Sequence, residues 1–417
     1  MQQRRIAITG IGAVTGYGIG AEVLVEGMFA GESCIRRIDR FDPSSFSSQV
    51  GAQCPDIDGQ AYFNNPREAR RMETNVIQAV VAAKEAIADS GLSITEEFAP
   101  RIGTYIGSGI GGLITLQKDI YYAHERGANR VPPLFIVNAI TNMPAGVVAV
   151  ETGARGPCYA IVSACATAGH NIGEAYRAIQ YGTADVMIAG GTERAITEVG
   201  LGGFCSMKAV TPDFNDCPEK GSRPFDAKRS GFVMGEGAGI FILEDWERAV
   251  KRGVRIYAEL IGYGASADAH HVTAPPPNGE GAQQAMINAM ADAGLEREQI
   301  GYLNAHGTST PLNDSSESKA IRAVFGDHIN QLKISSTKSM HGHLLGGAAA
   351  VESITCIYAF IHGTVCPTIN YENPDPECDL PNLVPNKPQP FDGEYALCNT
   401  FGFGGQNAVL AFRKTTD

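Results

Sequence analysis

The sequence has one tryptophan, no CxxC pair and no run approaching the ~18 to 20 apolar residues that cross a membrane. The missing apolar run predicts a chain with no membrane partner. Positive charge is also in short supply: 33 Lys and Arg face 45 Asp and Glu, for a formal net charge of -12. That balance argues against broad electrostatic binding to nucleic acid and leaves room only for local basic patches. Ten cysteines are scattered without a compact spacing pattern, which excludes a disulfide framework and fits a reducing cytoplasm. There is no low-complexity segment, and only Pro367–Pro390, rich in Pro, Asn and Asp, reads as a long surface connection. The opening Met1-Gln2-Gln3-Arg4-Arg5, followed by Ile6-Ala7-Ile8-Thr9-Gly10, has a basic start before an apolar stretch. Glycines at 10, 12, 16, 18 and 20 break that stretch, so it is expected to be a first strand and turn rather than a leader.

What is abundant is glycine. Forty-nine are spread between apolar runs without a period, as tight strand-to-helix turns require. Short apolar runs alternate with helical patterns such as Met72, Val76, Val80, Ala83 and Ile87 before Gly91, predicting an α/β enzyme with two domains or one large two-lobed one. Strands are expected at Arg4–Thr9, Arg101–Ile106, Tyr159–Ala164, Ala184–Ala189, Phe232–Leu243, Arg255–Gly262, Gln299–Ala305, Leu332–Ser336 and Ala408–Phe412. Thr9-Gly10-Ile11-Gly12 and Gly262-Tyr263-Gly264 each follow a strand, which hints at two similarly built halves.

The sharpest local signal is Tyr159-Ala160-Ile161-Val162-Ser163-Ala164-Cys165-Ala166-Thr167-Ala168-Gly169. It reads as a strand running straight into a helix whose stripe is Ala168, Ile172, Ala175, Tyr176 and Ile179, with Gly182 as its stop. Cys165 at that junction would sit at a helix N-terminus, where the dipole favours thiolate and lowers a pKa of ~8.5. Its small neighbours would let a substrate carbonyl reach backbone N–H groups. The other nine cysteines, Cys158 among them, lack this context and read as core or surface thiols.

Two later segments carry polar residues past a strand's carboxyl end, the edge at which α/β sheets bind ligands. One is Asn304-Ala305-His306-Gly307-Thr308-Ser309-Thr310; the other runs from Thr337-Lys338 through His341-Gly342-His343. Cys165, His306, Lys338 and His343 can therefore converge. Leu344 to Ile361 is expected to be helical, which puts Glu352 roughly 13 Å along from His343 and makes Lys338 its better partner. No carboxylate or cysteine accompanies His341 and His343 at ligand spacing, so no metal is expected. Gly107, Gly109 and Gly112 satisfy GxGxxG, but no acidic residue closes a second strand about twenty residues on; close backbone packing is the better reading.

These segments, with Ile106-Gly107-Ser108-Gly109-Ile110-Gly111-Gly112 and Asn399-Thr400-Phe401-Gly402-Phe403-Gly404-Gly405, make the chain resemble the elongating β-ketoacyl-acyl-carrier-protein synthases over nearly its whole length. The resemblance implies a thiolase-like five-layer αβαβα fold built from two similar halves, here 1–254 with the nucleophile and 255–417 with two catalytic histidines. It implies a cytoplasmic homodimer that needs no cofactor and takes acyl- and malonyl-loaded acyl carrier protein as partner. Cys165, His306 and His343 would be the catalytic set, Lys338 and Glu352 the supporting lysine and acid, and Phe403 the gate whose amide joins that of Cys165 at the acyl carbonyl. Ile110 and Phe204 match acyl-pocket positions, Thr273, Thr308 and Thr310 the pantetheine arm, and Arg67, Arg70, Arg71 and Lys208 the docking site of the acidic carrier. Core packing and a solvated helix face are the bland alternatives for Ile110 and Phe204 and for the basic residues.

The implied activity is decarboxylative condensation of an acyl chain on Cys165 with malonyl carrier protein, giving a two-carbon-longer 3-oxoacyl carrier protein in fatty acid elongation. A ketosynthase of a specialised lipid or polyketide pathway, or a non-catalytic carrier-binding subunit, are the alternatives. The chain departs from the family pattern at Cys158, at His341 where threonine is usual, and at Gln406.

Overall fold

The computed structural model describes residues 4–415, so Met1–Gln3 of the basic start lie outside the described residues. Ten principal strands are β1 (Ile6–Thr15), β2 (Ile102–Gly107), β3 (Cys158–Tyr159), β4 (Val186–Glu193), β5 (Gly237–Asp245), β6 (Ala258–Ala267), β7 (Ile300–Asn304), β8 (Lys333–Ser335), β9 (Tyr395–Gly402) and β10 (Gln406–Lys414). They hydrogen-bond in the order β8-β7-β9-β10-β6-β1-β5-β4-β2-β3, with the short arm Gly18–Ile19 added to β1. Read outward from the β1–β6 seam, each half runs first, fifth, fourth, second, third strand. In each, the pairs are antiparallel, antiparallel, parallel and parallel. The two halves share one topology, as the paired glycine motifs hinted.

Seven helices complete the layers: α1 (Thr74–Ser90), α2 (Leu113–Arg126), α3 (Met143–Thr152), α4 (Thr167–Gln180), α5 (Glu280–Ala293), α6 (Pro311–Phe325) and α7 (Ala348–His362). α4 and α7 pack on each other and on strands of both halves, forming the middle layer; α1 and α3 cover one outer face, and α5 and α6 the other. This is the five-layer αβαβα arrangement.

The glycine motifs show why the outer helices sit where they do. A Cβ at Gly10 would fall 2.1 Å from the Ala86 carbonyl oxygen, and one at Gly12 1.9 Å from that of Ala82, both on α1. At Gly262 and Gly264 the same construction meets the carbonyls of Ala289 and Ala285 on α5, at 2.5 and 2.1 Å. Only glycine lets strand and helix backbones approach this closely.

Two expected strands are corrected. Tyr159–Ala164 is a strand only at Cys158–Tyr159, because side chains of α4 take over the backbone groups beyond it. Asn171 accepts from the Ile161 N–H and donates to its carbonyl, while Thr167 Oγ1 accepts from the Ser163 N–H. Phe232–Leu243 is broken at Glu236, whose carboxylate holds Arg40; Met234–Gly235 pairs with Val50–Ala52 in a separate small sheet. One further expectation fails: Leu345–His362 is long and apolar enough to cross a membrane by length and composition. Yet 89% of it is buried inside the fold, as α7 and the turn before it. It is the core helix of the middle layer.

Candidate active site

Cys165 lies in a one-turn 3-10 helix, Ala164–Ala166, directly before α4. Ala164 there has φ 51°, a left-handed conformation costly for a residue with a Cβ and typical of positions held for function. Cys165 is 7% exposed. Burial pushes its thiol up to about 12, opposed by the Lys338 ammonium and the Phe403 amide and aided by Glu193 and Glu352. This overturns the expected thiolate. The partial charge of one helix end is too small an effect to offset the desolvation of a largely buried sulfur anion.

His306 follows β7 and is oriented by its own backbone, because its N–H and that of Gly307 both donate to the buried Glu317 carboxylate, at 2.8 and 2.7 Å. His343 is fixed by backbone exchange with the Val233–Gly235 segment. The rings of His306 and His343 meet edge to face with centroids 5.3 Å apart, and Phe232 lies edge-on to His343 at 5.3 Å. Burial, then the nearby Lys338 charge, hold both imidazoles well below their ordinary pKa, with His343 adding to the effect on His306 and His341 to that on His343. Both rings are thereby kept neutral. Neither Nδ1 has a hydrogen-bond partner among the described residues.

Lys338 begins the short helix Lys338–His341, is 1% exposed and pairs with the fully buried Glu352 on α7. The pairing inferred from helix geometry is the one found. Both lie behind the histidines rather than in the cavity wall. That cavity, about 350 Å³, is lined by Cys165, His306, His343, Phe403, Thr273, Thr308, Thr310 and Lys208 among others. Thr308 and Thr310 bond each other through their hydroxyls at 2.9 Å.

Two groups of expected residues are not brought to this cavity. Ile110 and Phe204 belong to an apolar cluster that also holds Cys165, with Phe204 stacked edge-on against Phe232 at 5.2 Å; they back the sulfur instead of lining the opening. Arg67, Arg70 and Arg71 are exposed on and beside the short helix Pro66–Ala69, outside the cavity wall. Of the basic set only Lys208 stands at the opening.

The departures fall in three environments. Cys158 is exposed on edge strand β3. His341 is buried, hydrogen-bonds Thr337 Oγ1 through Nε2 at 3.0 Å and is pushed down to about 3 by burial and by Lys338. Gln406 donates to the Phe403 carbonyl at 3.3 Å. The Phe403 loop is also tied to the 268–272 segment, since the Gly404 N–H donates to the Val272 carbonyl and the Asp268 N–H to that of Gly405. Asp268 and His271, both lining the cavity, were missed because an exposed loop carries no periodic signal. Glu193 and Glu317 were missed too, although a lone acid closing the apolar run Val186–Thr192 was a visible clue to the first.

Comparison with known proteins agrees with this geometry. Residues 3–249 match the family described as "Beta-ketoacyl synthase, N-terminal domain" and residues 257–372 its C-terminal domain. The chain is 46% identical over 413 residues to the 3-oxoacyl-(acyl-carrier-protein) synthase 2 of Staphylococcus aureus strain COL, covering 99% of both chains. It is 45% identical to the protein of that name from Coxiella burnetii over the full length of both. A β-ketoacyl synthase from Burkholderia phymatum superposes with a TM-score of 0.91 at 32% identity, over 99% of this chain and 100% of that one. A type II polyketide ketosynthase, solved with its acyl-carrier protein and a hexaketide, gives 0.91 at 30% with the same coverage. With both halves matched and the relatives aligned end to end, the chain belongs to the β-ketoacyl synthase family.

Proposed function

We propose that the protein extends acyl chains by decarboxylative condensation in fatty acid elongation, as the names of its full-length relatives suggest, with Cys165 as the acylated residue. The observation that carries this reading is one cavity lined by a thiol and by two imidazoles that are kept neutral. Cys165 attacks the acyl-carrier thioester, its sulfur bonds the acyl carbon, and the carrier sulfur leaves with the proton. The amides of Cys165 and Phe403 hold the carbonyl oxygen. When malonyl carrier protein enters, its carbon–carboxylate bond breaks, carbon dioxide departs and the electron pair moves onto the thioester oxygen. N–H groups of His306 and His343 stabilise that oxygen. The carbanion then attacks the acyl-Cys165 carbonyl, the carbon–sulfur bond breaks, and Cys165 regains a proton.

Lys338 keeps the imidazoles neutral, because a buried cation opposes a second positive charge beside it. Glu352 keeps Lys338 in place. Phe403 gates the opening, Thr273, Thr308 and Thr310 accept the pantetheine arm, and Ile110 and Phe204 bound the acyl chain from behind the sulfur. Lys208 and the exposed Arg67, Arg70 and Arg71 greet the acidic carrier. In this reading residues 1–254 supply the nucleophile and 255–417 the histidines. A homodimer fits the outer edge of β3, which pairs with no other strand among the described residues, and the exposed Val150, Tyr159 and Val162 near it; a cytoplasmic location is part of the same reading.

Intact-mass analysis tests the reading. The protein is incubated with acyl carrier proteins of several chain lengths, then with malonyl carrier protein. A mass shift confined to the Cys165 peptide, discharged into a two-carbon-longer ketoacyl product, is expected. No acylation by any chain would overturn it in favour of a non-catalytic subunit.

A further inference from the structure

Glu193 closes β4 and is fully buried, yet it plays no part in the steps above. Its carboxylate collects four donor groups from two separate loops. Ser108 Oγ donates to it at 2.6 Å, the Gly109 N–H at 2.8 Å and the Ile110 N–H at 3.3 Å, all from the loop that follows β2. The Gly346 N–H donates at 3.2 Å from the turn Leu345–Gly347, which follows His343 and precedes α7. The loops are also in contact with each other and with the nucleophile's turn. A Cβ at Gly346 would fall 2.4 Å from the Gly109 nitrogen, and one at Gly109 would fall 3.1 Å from the Ala164 carbonyl oxygen. Ser108 Oγ is itself braced, accepting from the Gly111 N–H and from Asn75 Nδ2.

A buried carboxylate with this many donors is over-specified for packing alone, since an apolar residue would fill the space without desolvating a charge. We propose that Glu193 is a positioning residue of the condensation: it locks the loop bearing Ile110 and the turn after His343 into one register around Cys165. The wall behind the acyl chain and the catalytic groups then move together or not at all. The inference rests on Cys165 being the acylated residue and on Ile110 bounding the chain.

Glu193→Gln tests it, because the amide keeps the size but offers N–H where one of the loops also presents N–H. Two readouts are followed beside circular dichroism of the fold. One is the acylation rate of Cys165 with long and short acyl carrier proteins; the other is the pH dependence of Cys165 alkylation by iodoacetamide, read on its peptide. Release of the loops lowers the ratio of long- to short-chain acylation by about tenfold or more, the scale on which small misplacements act. Removal of a charge that opposes thiolate at Cys165 moves the alkylation midpoint down; looser packing would lower it too by easing the burial, so the discriminating readout is the chain-length ratio, which a general loosening would leave unchanged while slowing both chains. Ser108→Ala, which removes one donor and leaves the carboxylate, shows a smaller loss of chain selectivity with an unmoved midpoint, and it carries the test if Glu193→Gln does not fold. Wild-type selectivity in a folded Glu193→Gln protein, or in Ser108→Ala where that variant stands alone, overturns the inference. Failure of the unmodified protein to acylate Cys165 would instead overturn the functional reading beneath it.

Discussion

The two halves share strand order, pair directions and glycine-mediated helix contacts, yet they use equivalent turns for different purposes. In each half a one-turn 3-10 helix precedes the inner helix and opens on a left-handed residue, Ala164 with φ 51° and Leu345 with φ 47°. The second residue is Cys165 in one turn and Gly346 in the other. At Gly346 no side chain fits, because the backbone of Gly109 occupies the space; at Cys165 the space is the cavity. A duplicated scaffold can thus hold one nucleophile, with the opposite turn acting as a backbone surface against which the first is set.

The largest expected break in this comparison is chemical. Cys165→Ala should lower condensation by at least about 10³-fold, whereas Gly346→Ala should act through lost folding yield, measured by turnover and by soluble protein. His306→Ala and His343→Ala should each slow decarboxylation by about 10²- to 10³-fold while acylation of Cys165 persists, as mass spectrometry of the first half-reaction would show.

A second group of tests asks whether the halves are equally stiff. Gly12→Ala and Gly264→Ala should each cost about 1–3 kcal/mol or more, read as matched falls in Tm, since both place a Cβ against a helix carbonyl. Unequal losses would show that one half carries the fold.

The buried acids allow a pH test. Burial raises Glu193 and Glu317 to about 7, above the ordinary 4.5, so the native state holds their protons more tightly than the unfolded chain. Their contribution is complete below pH 4.5 and is lost as pH rises through 7. On the order of 3 kcal/mol for each, stability should fall relative to the Glu193→Gln and Glu317→Gln variants across that window, measured by denaturant unfolding. The smallest effect is expected at the exposed edge: Cys158→Ala should leave most condensation intact.

Much of this was legible in the residue order. Strand-end polar residues converge by topology, so Cys165, His306 and His343 could be grouped without coordinates, and helix rise alone separated Glu352 from His343. The irregular Ala160–Ser163 segment was not legible, because its backbone partners are the side chains of Asn171 and Thr167, which look like ordinary helix residues. The state of the thiol was misjudged for a related reason. A helix end is a sequence feature, whereas the burial around the sulfur belongs to the assembled core. Glu193 and Glu317 escaped because their donors are backbone amides, which every residue carries.

The middle layer also sets an order of events during synthesis. α4 is complete by residue 180, but α7, which covers it, spans 348–362. At 5–20 residues per second, the first half waits on the order of ten seconds or more on the ribosome with the apolar face of its inner helix uncovered. A nascent chain in that condition is a natural client for holding chaperones. Shortening the wait, by supplying residues 255–417 as a separate polypeptide, should raise the yield of soluble first half.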